Sequence, residues 1–401
     1  MGERLEHILS SRQFDLGFLI HLFRDAMLIM ELLKTRDGRE LLTHVLPGYV
    51  ICEIFWQESS RTLHSFASAG ARLGASVFHE RGIKKKKNGK TVWELVFSSA
   101  MKDAYFEDEV RAWASCYDAL ILRTAESGLV ARAADICDEF GYDVHFINAG
   151  DGPDGEHPTQ TLGDIASMAF GLGLDFERDF SKFKNYSIAF LNDIERGRTI
   201  HSLAPVCGDL GMTLKFIPSH GNHVPRNLLD ELERKKYKFE IHSSLTEADI
   251  FYVTRHQAEY GNENLQGFSI DKKTADKYGV KLVMHPFPRT KKGNELPIWR
   301  KNDLDSHGVS MDKDPRAMYF KQMELGVSVR MALLKHLLNP NLDFKKLREE
   351  KLIRGLKSQC ICCNRMEYQE LGWTENSPAC GYIQTIPHIF CPRCEPNKPS
   401  V

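Results

Sequence analysis

A short polar segment after the first predicted strand could form a phosphate site. Ser59, Ser60, Arg61 and Thr62 follow the apolar run "YVICEIFW" and open a helical segment. The N-terminus of a helix offers free N–H groups and a partial positive charge, both of which attract anions. Hydroxyl and guanidinium groups beside it strengthen such a site. Taken alone, the segment more often indicates an ordinary helix cap with a solvent-facing arginine, since serine and threonine are common caps.

Arginines recur at the ends of three further predicted strands. Arg123 follows "DALIL", Arg198 lies in "LNDIERGRTIHSL", and Arg255 precedes Gln257 in "FYVTRHQ". Guanidinium groups bind carboxylate and phosphate in a bidentate manner. Each arginine could instead form a surface ion pair. Together with Arg61 they predict one anion site at the carboxyl edge of a parallel sheet.

A turn-rich loop, "NAGDGPDGEHPTQT", follows the apolar run "YDVHFIN" and carries a histidine and a glutamine. Glycine, proline and aspartate favour tight turns, because each suits a special backbone conformation or local hydrogen bond. The loop is therefore suited to direct His157 and Gln160 into a cleft. A histidine that is merely hydrogen-bonded within the loop is the alternative for His157 alone.

The elements that must position these residues alternate between strand and helix. Continuous apolar segments separated by helical periodicity predict parallel sheets covered on both faces, in two doubly wound α/β domains. Asn88-Gly89 between "SVFHERGIKKKK" and "KTVWELVF" predicts a β-hairpin. Ligands of such folds bind at the carboxyl ends of the strands. The predicted strands are "YVICEIFW", "YDALILR", "DVHFINAG", "YSIAFLND", "TLKFIPS", "ADIFYVTR" and "KLVMHPFP".

The combined pattern "SSRT…HPTQT…GRTIHSL…YVTRHQ…HPFPR" resembles the aspartate/ornithine carbamoyltransferase family, and within it the aspartate carbamoyltransferase catalytic chains, over roughly residues 5 to 340. The resemblance implies a carbamoyl-phosphate domain at 1–165 and an aspartate domain at 166–313, joined by helices. It also implies that a helix at 314–339 packs back on the first domain. A homotrimer whose neighbouring subunits share active sites is expected.

The resemblance assigns a role to each motif. Ser59, Ser60, Arg61 and Thr62 would cradle the phosphate of carbamoyl phosphate. Thr62, Arg123 and His157 would surround the carbonyl oxygen, and Gln160 would hold the carbamoyl amide. The residues expected to bind aspartate are Lys102, Arg198, Arg255, Gln257, Pro286 and Phe287.

The resemblance also implies that Lys102 enters the active site of the adjacent subunit. Counting back from Arg123 places it in "SSAMKDAYFED", where the family has a lysine-glycine-glutamate sequence. Phe287 stands where the family usually has leucine, and Thr124-Ala125 stand where it has a His-Pro pair. These departures remove no charged catalytic group.

The expected reaction moves the carbamoyl group of carbamoyl phosphate to the amine of L-aspartate, as in pyrimidine synthesis, and needs no metal or other cofactor. Two arginines suit a dianionic amino acid better than a cationic amine such as ornithine. The alternatives are a non-catalytic scaffold with the same fold and a carbamoyltransferase for another amine. Converging charges in a cleft favour the enzyme.

The last part of the chain, 355–401, is predicted to bind zinc. Cys360 and Cys363 form one C-x2-C pair, and Cys391 and Cys394 form another. Two such pairs can supply four thiolates to a structural zinc in a small ribbon. Cys362, Cys380 and His388 are alternative ligands, and free or redox-active cysteines are the alternative interpretation.

Composition limits the partners and the location. The net charge of −1, from 53 basic and 54 acidic residues, gives no reason to expect nucleic acid or membrane binding. The first residues contain acids where a targeting peptide would avoid them, so a cytoplasmic protein is expected. The lysines at 84–87 are interpreted as a solvated hairpin tip, with electrostatic attraction of the anionic substrates as the alternative.

Overall fold

The fold is taken from a computed structural model of the chain, which forms two compact units, Met1–Pro340 and Asn341–Val401. The structure describes residues 5–57, 59–87, 90–95, 105–152, 155–176, 178–255, 267–290, 294–344, 346–347, 357–359 and 366–368. In the second unit the described strands are β11 (Lys357–Gln359) and β12 (Met366–Tyr368), which pair antiparallel. The predicted zinc ligands lie outside the described residues.

The first sheet holds five strands in the order β3-β2-β1-β4-β5. The strands are β1 (Val50–Phe55), β2 (Ser76–Lys87), β3 (Lys90–Leu95), β4 (Ala119–Thr124) and β5 (His145–Asp151). β1 runs parallel to both β2 and β4, whereas β3 pairs antiparallel with β2. Lys87 pairs with Lys90 across the hairpin, which leaves two residues to connect the strands and confirms the predicted hairpin.

The second sheet is parallel throughout, in the order β10-β9-β6-β7-β8. Its strands are β6 (Ser187–Asn192), β7 (Thr213–Pro218), β8 (Phe239–Ile241), β9 (Ile250–Val253) and β10 (Leu282–Met284). β6 and β9 are almost entirely buried, as expected of strands covered on both faces. β8 escaped prediction because it has three residues and an exposed end, too few for a periodic signal.

Helices connect the strands and cover the sheets. Their bounds are α1 (Leu16–Leu32), α2 (Arg36–Leu42), α3 (Ser60–Arg72), α4 (Phe106–Ala114), α5 (Leu129–Phe140), α6 (Pro158–Gly171), α7 (Arg198–Asp209), α8 (Arg226–Arg234), α9 (Lys272–Lys277), α10 (Leu304–Val309) and α11 (Tyr319–Leu338). α5 is capped at its C-terminus by Gly141, whose φ of 70° lies in the left-handed region that glycine tolerates.

The long helix α11 lies against α1, α3 and α6. It begins at Tyr319, five residues after the start expected from the sequence, because Ala317 forms a bridge with Val283 and Asp314 binds the Arg316 side chain. Its middle is buried on nearly every side, including Arg330 and Lys335. The helix therefore brings charged side chains as well as apolar ones into the interior.

Both sheets change winding direction beside their first strand. β1 lies between β2 and β4, and β6 lies between β7 and β9, so neighbouring crossovers leave in opposite directions at these points. Such switch points are where α/β folds bind ligands. The α/β architecture with two parallel sheets is thus confirmed. None of the described helices combines the length and the apolar character needed to cross a membrane.

Candidate active site

One large cavity lies at the carboxyl ends of the strands that flank the two switch points. Its volume is about 1020 Å³. The residues that the sequence predicted for the site and that line this cavity are Ser59, Ser60, Arg61, Thr62, Arg123, His157, Gln160, Arg198, Arg255, Pro286 and Phe287. The structure therefore brings together residues from both sheets. Lys102 and Gln257 lie outside the described residues.

The segment after β1 is not an ordinary capped helix. Ser59 occupies the N-cap position of α3, but its side chain accepts no backbone N–H bond there among the described residues. Its Oγ instead donates to Oγ1 of Thr62 at 3.0 Å. The first N–H groups of α3 consequently remain available to an anion in the cavity. This geometry favours the phosphate-site interpretation of the segment.

The glycines that end β5 make room for an arginine. Gly150 has a φ of 125°, and a Cβ at this position would overlap the guanidinium of Arg123. Arg123 is buried, and its Nη1 donates to the carbonyl oxygen of Ala149 at 2.8 Å. The turn formers of this loop thus let an arginine from β4 cross the end of β5 toward His157.

His157 is the N-cap residue of α6, directly before Pro158. Its ring lies between two hydroxyl groups: Nε2 is 3.4 Å from Oγ1 of Thr62, and Nδ1 is 3.4 Å from Oγ1 of Thr159. Burial, followed by the charges of Arg123, Arg330 and Arg198, holds the pKa of His157 well below its ordinary value. The imidazole is therefore neutral at physiological pH, with one ring N–H to donate.

The second sheet supplies a further group of cationic side chains. Arg198 begins α7 after β6, and its Nη1 donates to the carbonyl oxygen of Gly152 at 2.7 Å. Burial, and next the nearby charge of Arg255, lower the pKa of Arg61. Arg61 on α3 and Arg255 after β9 thus lie close enough to repel each other. The cationic groups that the two sheets supply therefore adjoin within one cavity.

Phe287 closes the cavity from the turn after β10. Its φ of 56° is unusual for a residue other than glycine and marks a strained backbone, a feature that concentrates at functional sites. Its N–H donates to Nδ1 of the buried His285 at 2.8 Å. The guanidinium of Arg61 lies 5.8 Å from the centre of its ring. The turn therefore contacts both the second sheet, through His285, and the segment after β1, through Arg61.

Sequence reasoning missed three arginines that also line the cavity. Arg81 comes from β2, Arg196 lies two residues before Arg198, and Arg330 comes from α11. With Arg61, Arg123, Arg198 and Arg255 they make seven, and no acidic side chain is among the described residues that line the cavity. Only Arg196 had a local signal in its motif. Arg81 and Arg330 reach the cavity through strand pairing and helix packing, which no spacing in the chain reveals.

Glu53, in the middle of β1, lies near two of these arginines, Arg81 and Arg330. It is fully buried, and its Oε2 is 3.2 Å from Nδ1 of His79, its neighbour across the β1–β2 pair. Burial raises the pKa of Glu53 to about 8, although the charges of Arg81 and Arg330 favour its ionised form. On the other side of β1, the neighbour of Glu53 is the apolar Ile121 of β4. The chain therefore keeps a carboxyl group that is protonated near neutral pH.

We expect Glu53→Gln to flatten the pH dependence of stability. A raised pKa means that the native state holds a proton that the unfolded state releases above its ordinary pKa of 4.5, so stability is lost as pH rises from about 5 to 8. The loss approaches about 1.4 kcal/mol per pH unit for one group. Urea unfolding at several pH values measures it. Glu40→Gln, at an exposed position on α2, is the control and should keep the wild-type slope, whereas equal slopes in all three proteins would contradict the prediction.

Comparisons with known proteins agree with this geometry. Residues 6–169 match the family model "Aspartate/ornithine carbamoyltransferase, carbamoyl-P binding domain". Residues 184–337 match the model of the "Asp/Orn binding domain" of the same family. The chain is 31% identical over 351 residues to a chloroplastic aspartate carbamoyltransferase of Oryza sativa subsp. japonica, covering 84% of this chain and 85% of the rice protein.

Solved structures of aspartate transcarbamoylases are also similar to this chain. The catalytic subunit of the aspartate transcarbamoylase of M. jannaschii superposes with a TM-score of 0.66 at 28% identity, covering 84% of this chain and 99% of that one. The aspartate transcarbamoylase of Trypanosoma cruzi, in complex with carbamoyl aspartate and phosphate, gives 0.63 at 27% identity, covering 83% and 96%. The two family-model matches together span both sheets and end at residue 337.

Proposed function

Because this chain belongs to the aspartate/ornithine carbamoyltransferase family, we propose that it transfers the carbamoyl group of carbamoyl phosphate to the amine of L-aspartate. The products are N-carbamoyl-L-aspartate and phosphate, as in de novo pyrimidine synthesis. Relatives and solved neighbours that bear the name aspartate carbamoyltransferase or transcarbamoylase support this activity. The reaction requires no cofactor.

The observation that carries the proposal is the meeting of two anion sites in one cavity. Arg61 and Thr62 at the end of β1 face Arg198 and Arg255 from the second sheet. One set suits a phosphate and the other suits the two carboxylates of aspartate. An acyl phosphate and an amino acid with two carboxylates, bound side by side, have their reacting atoms brought together, which supplies much of the catalysis by orientation.

The chemistry forms a C–N bond and breaks a C–O bond. The amine of aspartate attacks the carbonyl carbon, negative charge grows on the carbonyl oxygen, and phosphate leaves with the electron pair while the amine loses a proton. We assign Thr62, Arg123 and His157 to the carbonyl oxygen, where donors stabilise the developing charge. Ser59, Ser60 and Arg61 hold the leaving phosphate. No protein nucleophile is needed.

A neutral His157 suits this role. Its low pKa means that it donates a hydrogen bond as an imidazole and not as an imidazolium. The positive charge at the carbonyl oxygen then comes from Arg123, whose guanidinium stays charged at any physiological pH. Because His157 is already neutral, raising the pH from about 6 to 8 removes no proton from it. The activity should therefore show no decline over this range that is due to His157.

The acceptor side is assigned to the second sheet. Arg198 and Arg255 hold the two carboxylates of aspartate, with Gln257 and Lys102 as further partners proposed from the family pattern. The backbone of Pro286 and Phe287 approaches the attacking amine. A cationic acceptor such as ornithine would meet the seven arginines of the cavity, so repulsion opposes its binding.

Formation of carbamoyl aspartate by the purified protein is the test. Carbamoyl phosphate and L-aspartate are incubated with the protein, and the product is quantified against controls with ornithine or with no amine. Turnover with aspartate alone supports the proposal. Turnover with a different amine, or none at all, would leave a related carbamoyltransferase or a non-catalytic scaffold instead.

A homotrimer with shared sites is the proposed assembly, and it predicts complementation. Lys102→Ala and Arg61→Ala should each abolish activity, because each removes a charge from every site. A mixture of the two proteins that has exchanged subunits should regain part of the activity, since some shared sites then receive both intact residues. Activity is measured before and after exchange, and exchange is verified with differently tagged subunits. Exchanged but inactive trimers would mean that Lys102 serves its own subunit or another role.

A structural zinc in the tail is proposed from the cysteine spacing alone. Protein purified without chelators should contain about one zinc per chain, bound by Cys360, Cys363, Cys391 and Cys394. The double variant Cys391→Ser, Cys394→Ser should lose the metal and keep the phosphate site, because the catalytic residues lie elsewhere. Elemental analysis measures both proteins. Cys116→Ser, at an exposed free cysteine, is the control. Undiminished zinc in the double variant would contradict the ligand assignment.

A cytoplasmic location and a role for regulatory or other pathway subunits are also proposals. The plant relatives are described as chloroplastic, so fractionation of the source cells is the measurement that tests the location. No binding of nucleic acid is expected, since the formal net charge of the chain is −1.

A further inference from the structure

A buried carboxylate joins three parts of the cavity wall. Asp164 lies in the second turn of α6 and is inaccessible to solvent. Its Oδ1 accepts hydrogen bonds from Nε2 of Gln160 at 2.7 Å and from Nε2 of Gln322 at 2.5 Å. Its Oδ2 accepts from the hydroxyl of Tyr252 at 2.7 Å. The donors come from α6, α11 and β9, so one side chain connects the helices of the first sheet to the second sheet.

The donors lead directly to the cavity. Gln160 and Gln322 both line it, whereas Asp164 does not. Gln322 uses its amide oxygen to accept the N–H of His285 at 3.3 Å, and His285 in turn accepts the N–H of Phe287. Asp164 therefore connects the glutamine at the carbamoyl site with the turn that closes the cavity at the amine site.

The chemistry of a carboxylate restricts the glutamine amide. An ionised aspartate only accepts hydrogen bonds, so it must face the NH2 end of Gln160. The oxygen end of the amide is then directed away from Asp164, toward the cavity that Gln160 lines. An amide oxygen at this place can accept an N–H bond from a ligand and cannot donate one.

We propose that Asp164 is a positioning residue that orients the Gln160 amide and thereby makes the site select a carbamoyl group over an acetyl group. The proposal rests on the proposed function, because it explains how the same site recognises the donor substrate. Carbamoyl phosphate presents an NH2 group where acetyl phosphate has a methyl group of similar size. Only the first can satisfy the Gln160 oxygen, and a site built to bind an N–H group discriminates against a ligand that lacks one.

Binding measured by calorimetry in the absence of aspartate tests the proposal. The quantity is the ratio of the dissociation constants of acetyl phosphate and carbamoyl phosphate, at pH 8.5. Burial raises the pKa of Asp164 to about 7, so the carboxylate is ionised under these conditions. The wild-type protein should bind carbamoyl phosphate more tightly than acetyl phosphate.

Two variants at Asp164 separate orientation from simple packing. In Asp164→Ser the hydroxyl can donate or accept, so Gln160 loses its preferred orientation and the ratio should fall by roughly 10- to 100-fold. In Asp164→Asn the amide oxygen can still accept from Gln160 while the Tyr252 hydroxyl reverses to accept from the new NH2 group. The ratio should therefore stay within about 3-fold of wild type, a change small enough for an intact hydrogen bond.

Tyr252→Phe is the matched control. It removes a buried hydrogen bond to the other carboxylate oxygen, so it should lower the melting temperature and leave the ratio unchanged. Three results would overturn the proposal: a ratio in Asp164→Ser equal to that of the wild type, a ratio in Asp164→Asn that falls as far as expected for serine, or a wild-type protein that binds both ligands equally well. If the serine variant shows no cooperative melting transition, Asp164→Thr takes its place, because threonine fills more of the space and its hydroxyl can also donate or accept; the same fall in the ratio is expected, and an unchanged ratio overturns the proposal. Failure of the proposed function is seen separately, as carbamoyl phosphate binding without turnover of aspartate.

Discussion

Replacing His157 by alanine is expected to lower kcat about 100- to 1000-fold, a loss of about 2.7 to 4 kcal/mol of transition-state stabilisation. The reason is that its N–H bond strengthens as negative charge develops on the carbonyl oxygen. The ground-state carbonyl gains less from it, so KM for carbamoyl phosphate should change little. Steady-state kinetics at saturating aspartate measure both constants.

The control for this variant is His223→Ala, in an exposed loop of the second sheet. It should keep the wild-type kcat. His157→Asn is a second variant, because its amide can donate a hydrogen bond from nearly the same place and should recover part of the rate. A His157→Ala enzyme with normal turnover would remove His157 from the reaction.

Replacing Arg198 by alanine should act on the acceptor substrate instead. We expect kcat/KM for aspartate to fall roughly 30- to 150-fold, or about 2 to 3 kcal/mol, the range for a hydrogen bond to a charged group. The KM for carbamoyl phosphate should change much less, because the phosphate residues lie at the end of β1. Kinetics with each substrate varied in turn separate the two effects.

Arg198→Lys and Arg226→Ala complete the series. Lysine keeps the charge but lacks the planar fork, so its loss should be smaller than that of alanine. Arg226, an exposed residue at the start of α8, pairs with Asp230 and should tolerate alanine. An Arg198→Ala enzyme whose KM rises for carbamoyl phosphate and not for aspartate would reverse the assignment of the two halves of the cavity.

The local part of the architecture could be predicted from the sequence because its signals are short in range. The apolar strand β1 followed by Ser59 to Thr62 identified both a strand end and a helix start. The Asn88-Gly89 pair predicted the hairpin between β2 and β3. In each case the backbone conformation depends on residues that adjoin in the chain.

What escaped prediction depends on residues that are distant in the chain. Arg330 lies on the longest helix, where an apolar periodicity suggests only a core face, yet its guanidinium reaches the cavity and lies 5.1 Å from the Phe66 ring. Glu53 interrupts an apolar strand, which was a visible signal, but its partners His79 and Arg330 become known only from strand register and helix packing. Nothing in the sequence distinguishes Asp164 from an ordinary helix residue, whereas in the structure it accepts hydrogen bonds from three side chains that belong to different elements.

The arginine-lined cavity also links the amount of folded protein to the supply of its ligands. Seven guanidinium groups and the uncapped N-termini of α3, α6 and α7 gather positive charge in one place among the described residues, and their mutual repulsion opposes folding. An anion that binds only the native state relieves this cost by mass action, by about 2.7 kcal/mol at a hundred times its Kd. Protein quality control removes chains in proportion to the time they spend unfolded. A cell rich in phosphate and carbamoyl phosphate would therefore retain more of this protein at the same rate of synthesis.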